Sequence, residues 1–222
     1  MSEVSTIAGW PACLRVEEIG GRRVEIYVVA DLERQLDRER LLNDEAYVPP
    51  YWALFWSGSR ILADFLGREE VELVGRTVVE VGCGVGLPAL AAATGGGIVT
   101  AIDREAAPLE FVGASAERNG CPIELVQASV EDLGDRVFDH VLAAELLYET
   151  ARFGALAESL VKLVAPGGRL WIVDAARVDT RPFFDCLGRT GAVEIQCERF
   201  EVDEEGTRVR IALRGYRVAV TR

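Results

Sequence analysis

The sequence holds a single histidine, His140, and its five cysteines (Cys13, Cys83, Cys121, Cys186, Cys197) are scattered, with no CxxC pair. One imidazole nearly empties the list of hydrolases that need histidine as base or as zinc ligand. Scattered thiols support neither a disulfide framework nor a zinc site, so no metal is expected and the cysteines read as small buried side chains. His140 sits inside the apolar run FDHVLAAE and reads as structural. Long hydrophobic runs are absent too: no uncharged apolar stretch reaches the roughly eighteen residues of a membrane span. The amino end, MSEVSTIAGWPAC, lacks the basic start and apolar run of a secretory signal. A cytoplasmic location without membrane contact is the expectation. Positive charge is also short, with 24 Lys and Arg against 36 Asp and Glu, a net −12. Such a field repels phosphate backbones, so nucleic acid is not an expected partner, whereas a basic protein surface or a cationic small molecule is compatible.

What is present is half hydrophobic and long enough, at 222 residues, for one core with an appendage. From residue 77 the pattern alternates. TVVEVG, VTAID, IELVQA, FDHVLAAE and RLWIVD read as strands. GLPALAAATGGG, EAAPLEFVGASAERNG and roughly Ala151–Val164 read as helices, stopped by glycine or by Asn119-Gly120. Alternation of this kind predicts an α/β fold, a doubly wound, mostly parallel sheet with helices on both faces. The tail, AVEIQCERFEVDEEGTRVRIALRGYRVAV, predicts an antiparallel hairpin about Gly206. Residues 1–50 are expected to form an appendage to the 51–222 domain. It comprises a hairpin about Gly20-Gly21, then one charged amphipathic helix over DLERQLDRERLL with Leu32, Leu36 and Leu42 on one side. A further helix is expected near Ser57–Leu66.

The segment VVEVGCGVGLPAL places Gly82, Gly84 and Gly86, with Cys83 between the first two, at a strand-to-helix turn. Glycines there let a ligand approach the main chain. The third glycine stands one place too early for the dinucleotide fingerprint, and no P-loop lysine follows. Asp103 ends the next strand about twenty residues on, where an acid accepts hydrogen bonds from ribose hydroxyls. Glu80, two residues before the loop, adds negative charge where a phosphate would be repelled. S-adenosylmethionine carries no phosphate, and its amino and sulfonium groups are cationic, so it suits both acids.

On these residues the chain resembles class I, Rossmann-like methyltransferases over 77 to about 220. EVGCGVG is similar to their first motif and AID to their ribose-binding acid. QASVEDL resembles the segment bordering the adenine, with Ser129 where many members carry aspartate, so the adenine contact falls to Ser129 or the Val130 backbone. PPYWALFWSGSRILADFL resembles the tryptophan-bearing entry of the protein-lysine methyltransferases called family 16, most nearly the subgroup acting on the electron transfer flavoprotein β-subunit. FDHVLAAELLYE resembles that group's acid-x-x-aromatic signature, here Glu145 and Tyr148. The resemblance implies that Trp56 and Ala144 border S-adenosylmethionine, that Glu145 and Tyr148 hold the acceptor amine, and that the acceptor is a protein lysine. Trp52 and Tyr51 are further aromatic candidates for facing a cation. A small amine acceptor remains the alternative, because the same fold serves both, and an inactive cofactor-binding scaffold is the third reading.

Overall fold

The computed structural model describes residues 5–44, 46–68, 70–204 and 206–218. Three antiparallel strands come first: β1 (Ser5–Ile7), β2 (Trp10–Ile19) and β3 (Arg22–Val29). Between β2 and β3, Gly20 and Gly21 both take positive φ (54° and 74°), as a two-residue hairpin turn requires. β1 had no sequence signal. The single helix expected over residues 31–42 is instead two short ones, α1 (Leu32–Gln35) and α2 (Arg38–Asn43). Leu36 is extended, and the Asp37 side chain accepts the Arg40 N–H at 2.9 Å. Aspartate competes with the backbone for such donors, so it begins a new helix rather than continuing the old one.

The remaining elements are α3 (Ser57–Leu66), β4 (Thr77–Val81), α4 (Leu87–Thr94), β5 (Ile98–Asp103), α5 (Ala106–Asn119) and β6 (Ile123–Gln127). They continue with β7 (Phe138–Ala144), α6 (Phe153–Lys162), β8 (Val164–Asp174), α7 (Arg181–Arg189), β9 (Ala192–Glu204) and β10 (Thr207–Val218). One seven-stranded sheet runs β6-β5-β4-β7-β8-β10-β9. Strands β4 to β8 are parallel, and the β9–β10 hairpin closes the sheet with β10 antiparallel to β8. This is the doubly wound architecture that the alternation predicts. α7 was missing from the sequence reading, although Pro182 in its first turn is a start signal.

α4 is buried from Leu87 to Ala93 on every side. A helix without a polar face must be covered on both flanks. The parallel sheet covers one, while Ile19, Val24, Ile26 and Val28 of the amino-terminal sheet pack on Leu87, Leu90 and Ala91. α5 ties down the free edge of β3: Ser115 Oγ accepts the Tyr27 N–H and Asn119 Oδ1 accepts the Glu25 N–H, both at 2.9 Å. His140 is structural. Trp171 Nε1 donates to its Nδ1 at 3.0 Å, its Nε2 lies 3.1 Å from the Glu72 carbonyl, and burial pushes its pKa down. No helix among the described residues is long and apolar enough to cross a membrane.

Candidate active site

Parallel strands deliver loops at their carboxyl ends, and a crevice opens where the strand order reverses. Here the order reverses at β4, flanked by β5 and β7. A cavity of about 780 Å³ lies there, within the roughly 300–1,000 Å³ typical of small-molecule sites. Its walls include Trp56, Gly82, Cys83, Gly84, Asp103, Ser129, Val130, Ala144, Glu145 and Tyr148, so the fold gathers ten of the residues singled out in the sequence.

The glycine loop leaves β4 with positive φ at Gly82 (60°), Gly84 (50°) and Gly86 (78°). A Cβ on Gly82 would press on the Leu146 side chain, and one on Gly84 would lie 2.9 Å from the Trp52 carbonyl oxygen. Gly84, facing a backbone carbonyl, therefore needs glycine for space as well as for angle, while Gly82 needs it for angle. Gly86 and Glu80, also singled out in the sequence, stand behind the cavity wall rather than in its lining. Gly86 caps α4 and lets Val112 pack there, its own Cβ position lying 2.5 Å from Val112 Cγ2. Glu80 is 1% exposed, and its Oε2 accepts the Ala89 N–H at 2.7 Å. That N–H lies in the first turn of α4, where backbone donors have no partner within the helix. Burial pushes the Glu80 carboxyl well above its usual range.

Asp103 Oδ2 accepts the Gly84 N–H and Oδ1 the Glu105 N–H, each at 3.1 Å, which pins the acid beside the glycine loop. Burial raises its pKa. Cys83 is buried and its thiol pushed up, so it packs rather than reacts. Ser129 and Asp132 form a reciprocal cap on the turn at Val130–Leu133. The Ser129 N–H donates to Asp132 Oδ2 at 3.3 Å and its carbonyl accepts the Asp132 N–H at 3.0 Å, and Val130 lines the cavity beside it.

Glu145 follows β7 directly and takes a left-handed backbone, φ 56°, uncommon for a residue with a side chain. Its N–H donates to the Val173 carbonyl at 2.8 Å. Its side chain is 5% exposed, and Oε1 is buried without a partner. That oxygen presses on the first turn of α3, only 2.5 Å from where a Gly58 Cβ would stand. Burial pushes the carboxyl up to about 7; Arg177, with Nε 3.6 Å from Oε2, pulls it down, while Asp174 and Glu204 add repulsion. Tyr148 and Tyr51, each 46% exposed, stand with ring centroids 6.4 Å apart at the rim, beside exposed Val48 and Leu54. The Tyr148 hydroxyl accepts from Arg104 Nη2 at 3.3 Å, and desolvation raises its pKa. Trp52 also lines the cavity, but it is largely buried, packed on Trp10 and Phe111.

Sequence reasoning missed Arg104, Asp174 and Arg177. Asp174 carries the same signal as Asp103, an acid at the end of a parallel strand. Arg177, in an irregular segment, carries none.

A family model described as a methyltransferase domain matches residues 79–172. Protein N-lysine methyltransferase METTL21A of Danio rerio is 35% identical over 120 residues, covering 50% of this chain and 55% of the relative. Ubiquinone biosynthesis O-methyltransferase of Erwinia tasmaniensis is 31% identical over 145 residues, covering 61% and 60%. The chain thus spans little more than half the length of the curated relatives it matches. Among solved structures, the T. thermophilus 16S rRNA N2 G1207 methyltransferase in complex with AdoMet and guanosine superposes with TM-score 0.65 at 15% identity, over 97% of this chain and 52% of that one. The Burkholderia thailandensis 1,6-didemethyltoxoflavin-N1-methyltransferase, with its substrate and S-adenosylhomocysteine bound, gives TM-score 0.57 at 22% identity over 81% of each. These structural likenesses establish a shared fold.

Proposed function

We propose that this chain, which carries a class I methyltransferase domain and resembles the family 16 lysine methyltransferases, moves a methyl group from S-adenosylmethionine to a lysine nitrogen of another protein. The observation that carries the reading is Glu145, a buried acid with a pKa near 7 at the end of a cavity whose rim is open and aromatic.

The residues fit the cofactor. Asp103 sets a carboxyl beside the glycine loop, which opposes a phosphate and suits a ligand with amino and sulfonium cations. Asp103 is placed to accept from ribose hydroxyls, and Trp56 forms a flat wall, its Nε1 donating to the Tyr51 carbonyl at 3.0 Å. When bound, S-adenosylmethionine supplies an electrophilic methyl group that needs only an aimed lone pair. A lysine ammonium has no lone pair until it sheds a proton, because its free pKa is about 10.4. Glu145 in its charged form attracts the ammonium and accepts that proton, while Tyr51 and Tyr148 flank its aliphatic stem. The open rim admits a side chain presented from a protein surface. A small-molecule acceptor is the second reading, favoured by the likeness to the ubiquinone O-methyltransferase.

Labelled S-adenosylmethionine added with the protein to size-fractionated cell extract separates the two. Label should enter a protein fraction and map by mass spectrometry to lysine ε-nitrogens. The enzyme's own single lysine, Lys162, is easily told apart from an acceptor site. Label confined to the low-molecular-weight fraction would overturn the lysine assignment. Cofactor binding has its own reporter: S-adenosylhomocysteine should change the tryptophan fluorescence, and Trp56→Phe should remove most of that change. Full retention of the signal in this variant would move the contact to another tryptophan.

A further inference from the structure

Beside the acceptor end of the cavity, a cation faces three carboxylates, with Arg214 adding a second positive charge near Asp174 alone of the three. The cation is Arg177, and the acids are Glu145 after β7, Asp174 at the end of β8 and Glu204 at the end of β9. The amino end of α3 packs on Glu145 from the fourth side and brings no acid in its first turn, while Arg60, its fourth residue, is paired with Glu17 and Asp64.

Arg177 is fixed independently of Glu145. Its guanidinium lies 4.8 Å from the centroid of the Trp56 ring. Its Nη2 donates to both carboxylate oxygens of Glu204, at 3.1 and 3.0 Å. The segment that carries it is set by Ala176, whose φ is 49° and whose N–H donates to Asp174 Oδ2 at 3.0 Å. Held by these anchors, Arg177 Nε stops 3.6 Å from Glu145 Oε2, within ion-pair reach and beyond a hydrogen bond. A buried pair serving stability alone would close to contact and satisfy the carboxyl, since an unmet buried oxygen is costly. This pair is held open, and Oε1 has no partner at all.

We propose that Arg177 is the positioning residue for Glu145: anchored on Trp56 and Glu204, it orients the carboxyl at the cavity wall and governs whether that carboxyl is charged when the acceptor amine arrives. The proposal rests on the reading of Glu145 as the acceptor-side acid, yet its electrostatic core can be measured without turnover. Removing the guanidinium leaves Glu145 with the Ala175 N–H on its charged side and burial with the like charges of Asp174 and Glu204 against it, which favours the neutral form. Neutralising Glu204 does the reverse, because it removes a repulsion and frees the guanidinium to close on Glu145. The two changes therefore push in opposite directions.

The test is a carbon-13 NMR titration of side-chain carboxyls in the full chain, with the Glu145 signal assigned by its absence in Glu145→Gln. Arg177→Gln should raise the Glu145 midpoint by about one pH unit or more, and Glu204→Gln should lower it. Arg177→Lys should fall between wild type and Arg177→Gln, since an ammonium keeps the charge but not the stacked, forked geometry. Methyl transfer followed in parallel should show its acid limb moving with the NMR midpoint. Midpoints unchanged within a few tenths of a unit, or moved the same way by both variants, would overturn the proposal. If Arg177→Gln does not fold, an unmoved or raised midpoint in Glu204→Gln is enough to reject it. Midpoints that move as expected in a protein without methyl transfer would instead remove the functional reading and leave Arg177's control of Glu145 standing.

Discussion

Glu145→Gln is expected to lose methyl transfer and gain stability above neutral pH. A proton acceptor positioned in a transition state contributes roughly 10²- to 10⁴-fold in rate, and glutamine supplies none of it. Glu145 stands at the acceptor end of the cavity, so affinity for S-adenosylhomocysteine should stay within about two-fold. The stability change follows from the raised pKa. In the unfolded chain the carboxyl ionises near its ordinary 4.5, whereas in the fold it holds its proton until about 7. Between those values the native state binds more protons than the unfolded state, so the stability attributable to this residue falls as pH rises. Above about 7 the loss is complete, and a displacement of this size corresponds to about 3 kcal/mol. Glutamine is neutral throughout and escapes the loss. Urea unfolding of both proteins at pH 5 and pH 8 should show the variant's advantage growing strongly with pH. An advantage of equal size at both values would mean that Glu145 ionises normally.

Asp103→Ala should weaken S-adenosylhomocysteine binding by about 1.5–3 kcal/mol, roughly 10- to 150-fold, as measured by calorimetry. Each Asp103 oxygen already accepts one backbone N–H, from Gly84 or Glu105, and keeps further lone-pair capacity for ribose hydroxyls. Alanine removes that acceptor and also releases Gly84 from its place beside the cavity. Burial holds the Asp103 pKa above its usual value, so wild-type affinity should decline toward acid pH at a higher pH than an exposed aspartate would show. Unchanged affinity in the variant would sink the ribose assignment, and tight binding of NAD would revive the dinucleotide alternative.

Much of the molecule is encoded locally. β-Branched runs of period two, alanine-rich helices and glycine stops are short-range properties. They are enough to set β4 to β8, the helices between them and the closing β9–β10 hairpin. The glycine loop is equally local, since positive φ at Gly82, Gly84 and Gly86 needs only the missing Cβ. Asp103 was readable because a strand's last residue has one place to be in a parallel sheet. Local signals failed where two short-range preferences competed. Asp37 capped a new turn and split the expected helix, and Ser129 and Asp132 closed a cap on themselves.

What the chain order could not reveal is which side chains meet. Glu80 reads as a cavity acid, yet the packing of α4 on β4 buries it and offers it the Ala89 N–H at 2.7 Å. Glu145, Arg177 and Glu204 lie far apart in sequence, on three segments joined only because β8 and the β9–β10 hairpin follow β7 across the sheet. The sequence by itself therefore determined the backbone architecture and the glycine loop, because dihedral preference and hydrophobic period act over a few residues. Tertiary structure alone decided that the acid after β7 is buried, held in a left-handed turn and lifted to a pKa near 7. Desolvation and charge coupling depend on distances that only the assembled sheet creates.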